Sequence, residues 1–114
     1  MPTVFIIARD WPLRAMVRAE LLEQGVNAIA MEISAEAGTR IASGVLPTIV
    51  VFEASNELDP GLDSLARRVP FVVVTSGIEN NDVWPAAAAR VLHRPVRVAE
   101  IVAAVLDILH GRPA

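Results

Sequence analysis

The chain of 114 residues contains no cysteine, which excludes disulfides, thiolate metal sites and a cysteine nucleophile together. Lysine is missing as well: all ten basic residues are arginine, which beside so much alanine reads as genome composition rather than chemistry. Long apolar runs are also absent. Blocks such as Ile49–Phe52 and Phe71–Val74 fall far short of the roughly 18–20 residues that cross a bilayer, so no membrane partner is expected. There is no basic-then-apolar leader ending in a small-residue cleavage site, and a cytoplasmic protein is the expectation. The net charge is −3, and Arg67, Arg68, Arg90, Arg94 and Arg97 form no stripe. Direct binding of nucleic acid is therefore disfavoured, since phosphate contacts need clustered positive charge. No glycine stands in Ala8-Arg9-Asp10-Trp11, which argues against dinucleotide binding after the first apolar block.

What is present is an alternation of two patterns within a length that fits a single domain, residues 1–114. Thr3–Ala8, Ala28–Met31, Thr48–Phe52 and Phe71–Thr75 are short, nearly continuous apolar blocks, and Arg90–His93 is a weaker fifth. Such blocks suit parallel strands covered on both faces. Between them the period becomes helical. Leu13, Met16, Val17, Leu21 and Leu22 set a helix over Pro12–Gln24, with Asp10 or Trp11 in the entry turn and Gly25 just past the end. Ser34–Ser43 reads as a second helix with Ser34 as N-cap and Gly44 as terminator. Leu58–Arg68 and Val83–Ala89 are weaker helices, and Val98, Ile101, Val102, Val105, Leu106 and Leu109 mark the last, ended by Gly111 and Pro113. The order is βα repeated five times: an α/β domain with a doubly wound parallel sheet.

In such folds chemistry gathers beyond the carboxyl ends of the strands. That rule selects Arg9, Asp10 and Trp11; Glu53, Ala54 and Ser55; Thr75 and Ser76; and Arg94 with Pro95. Strand-end convergence favours a mutually paired cluster of Arg9, Asp10, Glu53 and Arg94 over four separately solvated charges. His93 and His110 lack spaced carboxylate partners and make no persuasive metal site. Ser55 and Ser76 lack a histidine base, which disfavours a serine hydrolase. Trp11 and Trp84 are candidates for an exposed binding spot or for covering the core edge.

Four segments taken together resemble the receiver domain of two-component response regulators. They are Phe5–Pro12 (FIIARDWP), Pro47–Glu53 (PTIVVFE), Pro70–Ser76 (PFVVVTS) and His93–Ile101 (HRPVRVAEI). The resemblance runs the length of the chain and implies a flavodoxin- or CheY-like fold with strand order 2-1-3-4-5. It also implies a site in which an acidic pair holds magnesium, an aspartate takes a phosphoryl group, and a Thr or Ser and a Lys contact that group. Several positions depart from this pattern. Arg9 replaces the first acid while Asp10 keeps the second, and Glu53 stands at the phosphoacceptor position. Thr75 is kept, Arg94 replaces the lysine before Pro95, and Val91 lies where the family often carries Tyr or Phe. The resemblance further implies a surface for dimers and partners on the fourth helix, fifth strand and fifth helix, with Val91, Val98 and Ile101 as its expected residues here. The oligomeric state is open, a symmetric dimer through the last helix being the first expectation.

These departures disfavour magnesium, because an arginine at a ligand position replaces negative charge with positive, and no cofactor is expected. Glu53 is also one methylene longer than the aspartate the site is built around. Three functional readings remain. One is a non-enzymatic, pseudo-receiver interaction module that binds another signalling protein: a histidine kinase, a phosphotransferase or an output protein. Another is a working phosphoacceptor of a phosphorelay. The last is a small-anion sensor gripping its ligand with Arg9 and Arg94.

Overall fold

A computed structural model describes residues 2–54, 64–75 and 88–111. The strands are β1 (Thr3–Ile7), β2 (Asn27–Met31), β3 (Ile49–Glu53), β4 (Phe71–Thr75) and β5 (Ala88–His93). The helices are α1 (Trp11–Glu23), α2 (Ser34–Ala42) and α3 (Val98–Leu109). All strand pairs are parallel, in the order β2-β1-β3-β4-β5. This is the doubly wound arrangement expected from the alternation of patterns.

Period-two alternation along the strands divides the core in two. On one face Val4, Ile6, Ile49, Val51, Val72 and Val74 pack against Leu13, Val17 and Leu21 of α1 and Ile101, Val102 and Val105 of α3. On the other, Phe5, Ile7, Val50, Phe52, Phe71 and Val73 pack against Ala37 of α2 and against Leu65 and Ala66. β1, β3 and β4 are buried on both sides, which explains their unbroken apolar sequences. Each fully buried Val, Ile, Leu or Phe contributes about 1.5–3 kcal/mol relative to exposure.

The helix ends follow local chemistry. Asp10 is the N-cap of α1, its Oδ1 accepting from Leu13 N at 3.2 Å. At the far end Gly25 has φ +77°, and Gly25 N and Val26 N donate to Leu22 O and Leu21 O at 3.0 Å each. That pairing is a Schellman closure, which needs a left-handed residue. Gly44 repeats it for α2, at φ +96°. Arg97 N donates to Glu100 Oε1 at 3.4 Å where α3 begins.

Four expectations change. Ile33, not Ser34, is the N-cap of α2; Ser34 is its first residue and is buried, because the chain is still extended at Ile33, φ −128° and ψ 154°. Ala88 and Ala89 open β5 instead of closing a helix. Alanine favours helix in isolation, but pairing of Ala88 with Phe71 and of Arg90 with Val72 takes the segment into the sheet, with Ala89 the extra residue at the register shift between them. Met16 and Leu22 are exposed, since the sheet accepts only the Leu13, Val17, Leu21 line of α1. Finally, Ile101 is fully buried and cannot form a partner surface, and Val98 is half-buried against the same core. The last helix turns its large apolar side chains inward and shows Ala99, Glu100 and Ala103 to the outside. Of the three expected surface residues, Val91 alone is exposed. The remainder of Val83–Ala89, most of Leu58–Arg68, and Pro113 lie outside the described residues.

Replacing Ile101 by alanine is expected to lower the unfolding free energy by about 2–5 kcal/mol, while Val91→Ala changes it by less than about 0.5 kcal/mol. Urea denaturation of the two variants checks this difference.

Candidate functional site

Four strand ends deliver the candidate residues to one rim. β1 leads through Ala8 into Arg9 and Asp10, β3 ends on Glu53, β4 on Thr75, and β5 on His93 just before Arg94. The ladder fixes their heights: Glu53 pairs with Val74, and Thr75 with His93. The rim is tied further where Ala54 N donates to Val74 O at 2.9 Å and Arg94 N donates to Thr75 O at 2.7 Å. The Arg94–Pro95 peptide is cis.

Glu53 is the centre of the arrangement, and its side chain is only 7% exposed. Its Oε1 accepts from the backbone N–H of Arg9 at 2.7 Å and, less closely, from that of Asp10 at 3.4 Å. Its Oε2 accepts from Arg94 Nη2 at 2.6 Å. The other terminal nitrogen, Arg94 Nη1, donates to Asp10 Oδ2 at 3.1 Å. One guanidinium therefore bridges two carboxylates, and the second of these also caps α1. Charge-assisted contacts of this kind are short and stronger than neutral ones. The Glu53–Arg94 contact is the more desolvated of the two. Asp10 and Arg94 are each about one-third exposed, so solvent weakens that pair to about 1 kcal/mol or less.

Of the charged cluster expected from strand-end convergence, Asp10, Glu53 and Arg94 come together. Arg9 does not join them by its side chain. That side chain is exposed and forms no ion pair among the described residues, and the residue enters the site only through its backbone N–H. The Glu53 oxygen nearest the turn after β1 is met by main-chain donors of that turn instead. Thr75 is fully buried at its strand end. His93 and His110 are exposed, and no group of three or more metal-ligating side chains occurs among the described residues. Trp11 is exposed at the start of α1. Ser55, Ser76 and Trp84 lie outside the described residues.

Asp10 combines the entry-turn and charged-cluster positions expected of it, whereas the use of main-chain amides was not expected. The first had a signal in Asp10-Trp11-Pro12, an acid followed two residues later by proline, which marks a helix N-terminus. The second leaves no trace in residue types. Arg14 adds a related support, donating from Nη1 to Ala8 O at 2.7 Å.

No protein-family model matches the chain, and no curated protein matches it. Solved structures do. The regulatory domain of the repressor of iron transport regulator, in its inactive form, superposes with a TM-score of 0.81 at 14% identity, covering 98% of each chain. A response regulator receiver protein from Sinorhizobium medicae gives 0.76 at 18% identity, covering 96% of this chain and 94% of its own. Another, from Burkholderia phymatum, gives 0.74 at 19% identity, covering 100% and 98% respectively. The chain therefore has the receiver-domain fold over its length, as the four sequence segments implied.

Arg94→Met removes the counter-charge of a buried carboxylate and is expected to lower the unfolding free energy by about 1–3 kcal/mol. Arg9→Ala, which keeps the main-chain donor, should cost less than about 0.5 kcal/mol. A double-mutant cycle of Arg94→Met with Glu53→Gln in urea measures the coupling, expected at about 1–2 kcal/mol.

Proposed function

We propose that this chain is a receiver-like signalling module that works by binding another signalling protein, without phosphorylation at Glu53 and without catalysis of its own. The observation carrying this reading is the pairing of Glu53 with Arg94. A phosphoacceptor must point a carboxylate oxygen in line with the donor phosphorus, whereas both oxygens of Glu53 are oriented by donors of the chain itself, Oε1 by the Arg9 amide and Oε2 by Arg94. In this reading Glu53 and Arg94 hold the rim in one fixed arrangement, and information passes through the protein that recognises it.

Magnesium does not fit this set of donors. The ion requires near-octahedral oxygen ligands at about 2.0–2.1 Å. Here the space between Asp10 and Glu53 is bridged by a guanidinium, and Arg9 stands where a further acid would be needed. Without an ion to neutralise developing charge, phosphoryl transfer loses its main electrostatic support. The anion-sensor alternative is weakened by the same geometry, because both terminal nitrogens of Arg94 are engaged by carboxylates. The partners this reading favours are a histidine kinase, a phosphotransferase or an output protein, in keeping with the receiver fold.

Incubation with a small phosphodonor and magnesium, followed by intact-mass analysis, is expected to show no added phosphoryl group. A mass increment present in the native chain and lost in Glu53→Ala would overturn the reading. The combined change of Arg9→Asp, Glu53→Asp and Arg94→Lys is expected to bring acceptance of the phosphoryl group, showing that these positions account for its loss.

A further inference from the structure

Beyond the rim, α1 carries more apolar surface than the sheet uses. Leu13, Val17 and Leu21 face the core, whereas Trp11, Met16 and Leu22 are 64%, 56% and 42% exposed. Each residue of an α-helix advances by about 100°. Pro12, Ala15, Ala19 and Leu22 therefore form a line on the side opposite the core. All four are exposed, and their spacing of three, four and three residues is that of a coiled-coil seam. Two alanines at the middle of the line let another helix approach closely. One flank holds Trp11 and Arg18, the other Met16 and Glu23, and all four are exposed.

We propose that a second copy of this chain docks on α1, the two helices running parallel about a two-fold axis. The charges choose both the occupant and the direction. In a parallel pair, a flanking residue meets the residue five positions later on the other helix. Trp11 then packs on Met16 of the other copy, and Arg18 pairs with Glu23 of the other copy, twice by symmetry. An antiparallel pair would instead set Arg18 against the basic flank and Glu23 against the acidic one. A surface that complements itself in shape and charge is what a symmetric dimer requires. Exposed Trp, Met and Arg are also the side chains enriched in protein interfaces. Arg18 Nε donates to Ala28 O at 3.3 Å, so its terminal nitrogens are the donors left for a carboxylate.

The helix has 13 residues and is about 20 Å long, so the contact is at the small end of specific interfaces. The dimer is expected to be weak, with a dissociation constant on the order of tens of micromolar.

Sedimentation equilibrium of the native chain, from micromolar to millimolar concentration, should show a reversible monomer–dimer equilibrium. Trp11→Ala, Arg18→Glu and Glu23→Arg should each weaken it at least tenfold while urea denaturation shows the fold retained. Mixing Arg18→Glu with Glu23→Arg should restore association as a heterodimer, because both cross-helix pairs become attractive again. A monomer throughout the range would overturn the proposal. So would a dimer indifferent to all three changes, or one that the mixture fails to restore. If Arg18→Glu unfolds through loss of its bond to Ala28, Glu23→Arg alone and in combination with Trp11→Ala still decides the matter.

Discussion

The geometry of the rim depends on one guanidinium. Arg94 lies just beyond β5, yet its two terminal nitrogens reach the carboxylate that ends β3 and the carboxylate that caps α1. Three elements distant in sequence are thereby joined at one point, with the Arg94 main chain tied to β4 as well. Glu53 is buried, and a buried carboxylate is tolerated only when its lone pairs are met by donors and its charge by a counter-charge. The turn after β1 supplies the donors and Arg94 supplies the charge. The longer side chain of glutamate is compatible with this arrangement, because it extends far enough to reach main-chain amides in the turn after β1.

This pairing places the molecule between two ways of using one fold. A carboxylate left uncompensated at a strand end attracts a metal ion and becomes open to chemistry. A carboxylate compensated from within the chain becomes part of the scaffold. Here the compensating cation is Arg94, whose two terminal nitrogens engage both Glu53 and Asp10. The proposed role as a binding module follows from that electrostatic choice, and the proposed self-complementary face of α1 would give such a module a second means of association, beginning at Trp11 beside the rim.

Much of the fold was legible because parallel strands buried on both faces must be apolar without interruption, as in Ile49–Phe52 and Phe71–Val74. Helix ends were legible where glycine is needed for a left-handed closure, at Gly25 and Gly44. Less was legible where pairing competes with propensity. Ala88 and Ala89 look helical but are drawn into β5 beside β4. Burial at Ile101 follows from which side of the helix meets the sheet, and a family analogy for partner surfaces does not carry that information. At the site, the rule of strand-end convergence brought Asp10, Glu53 and Arg94 together, but charge alone could not show that Arg9 would contribute its backbone rather than its side chain.

The role of Arg94 as resident counter-ion of Asp10 and Glu53 is open to direct measurement. It is tested most directly by titrating the native chain with magnesium while following the backbone amide resonances of Arg9, Asp10, Glu53 and Arg94. No saturable shift is expected at these four residues beyond a general ionic-strength effect. A saturable shift confined to Asp10 and Glu53, with displacement of the Arg94 resonance, would show that a metal ion takes the place assigned to the guanidinium and would contradict that role.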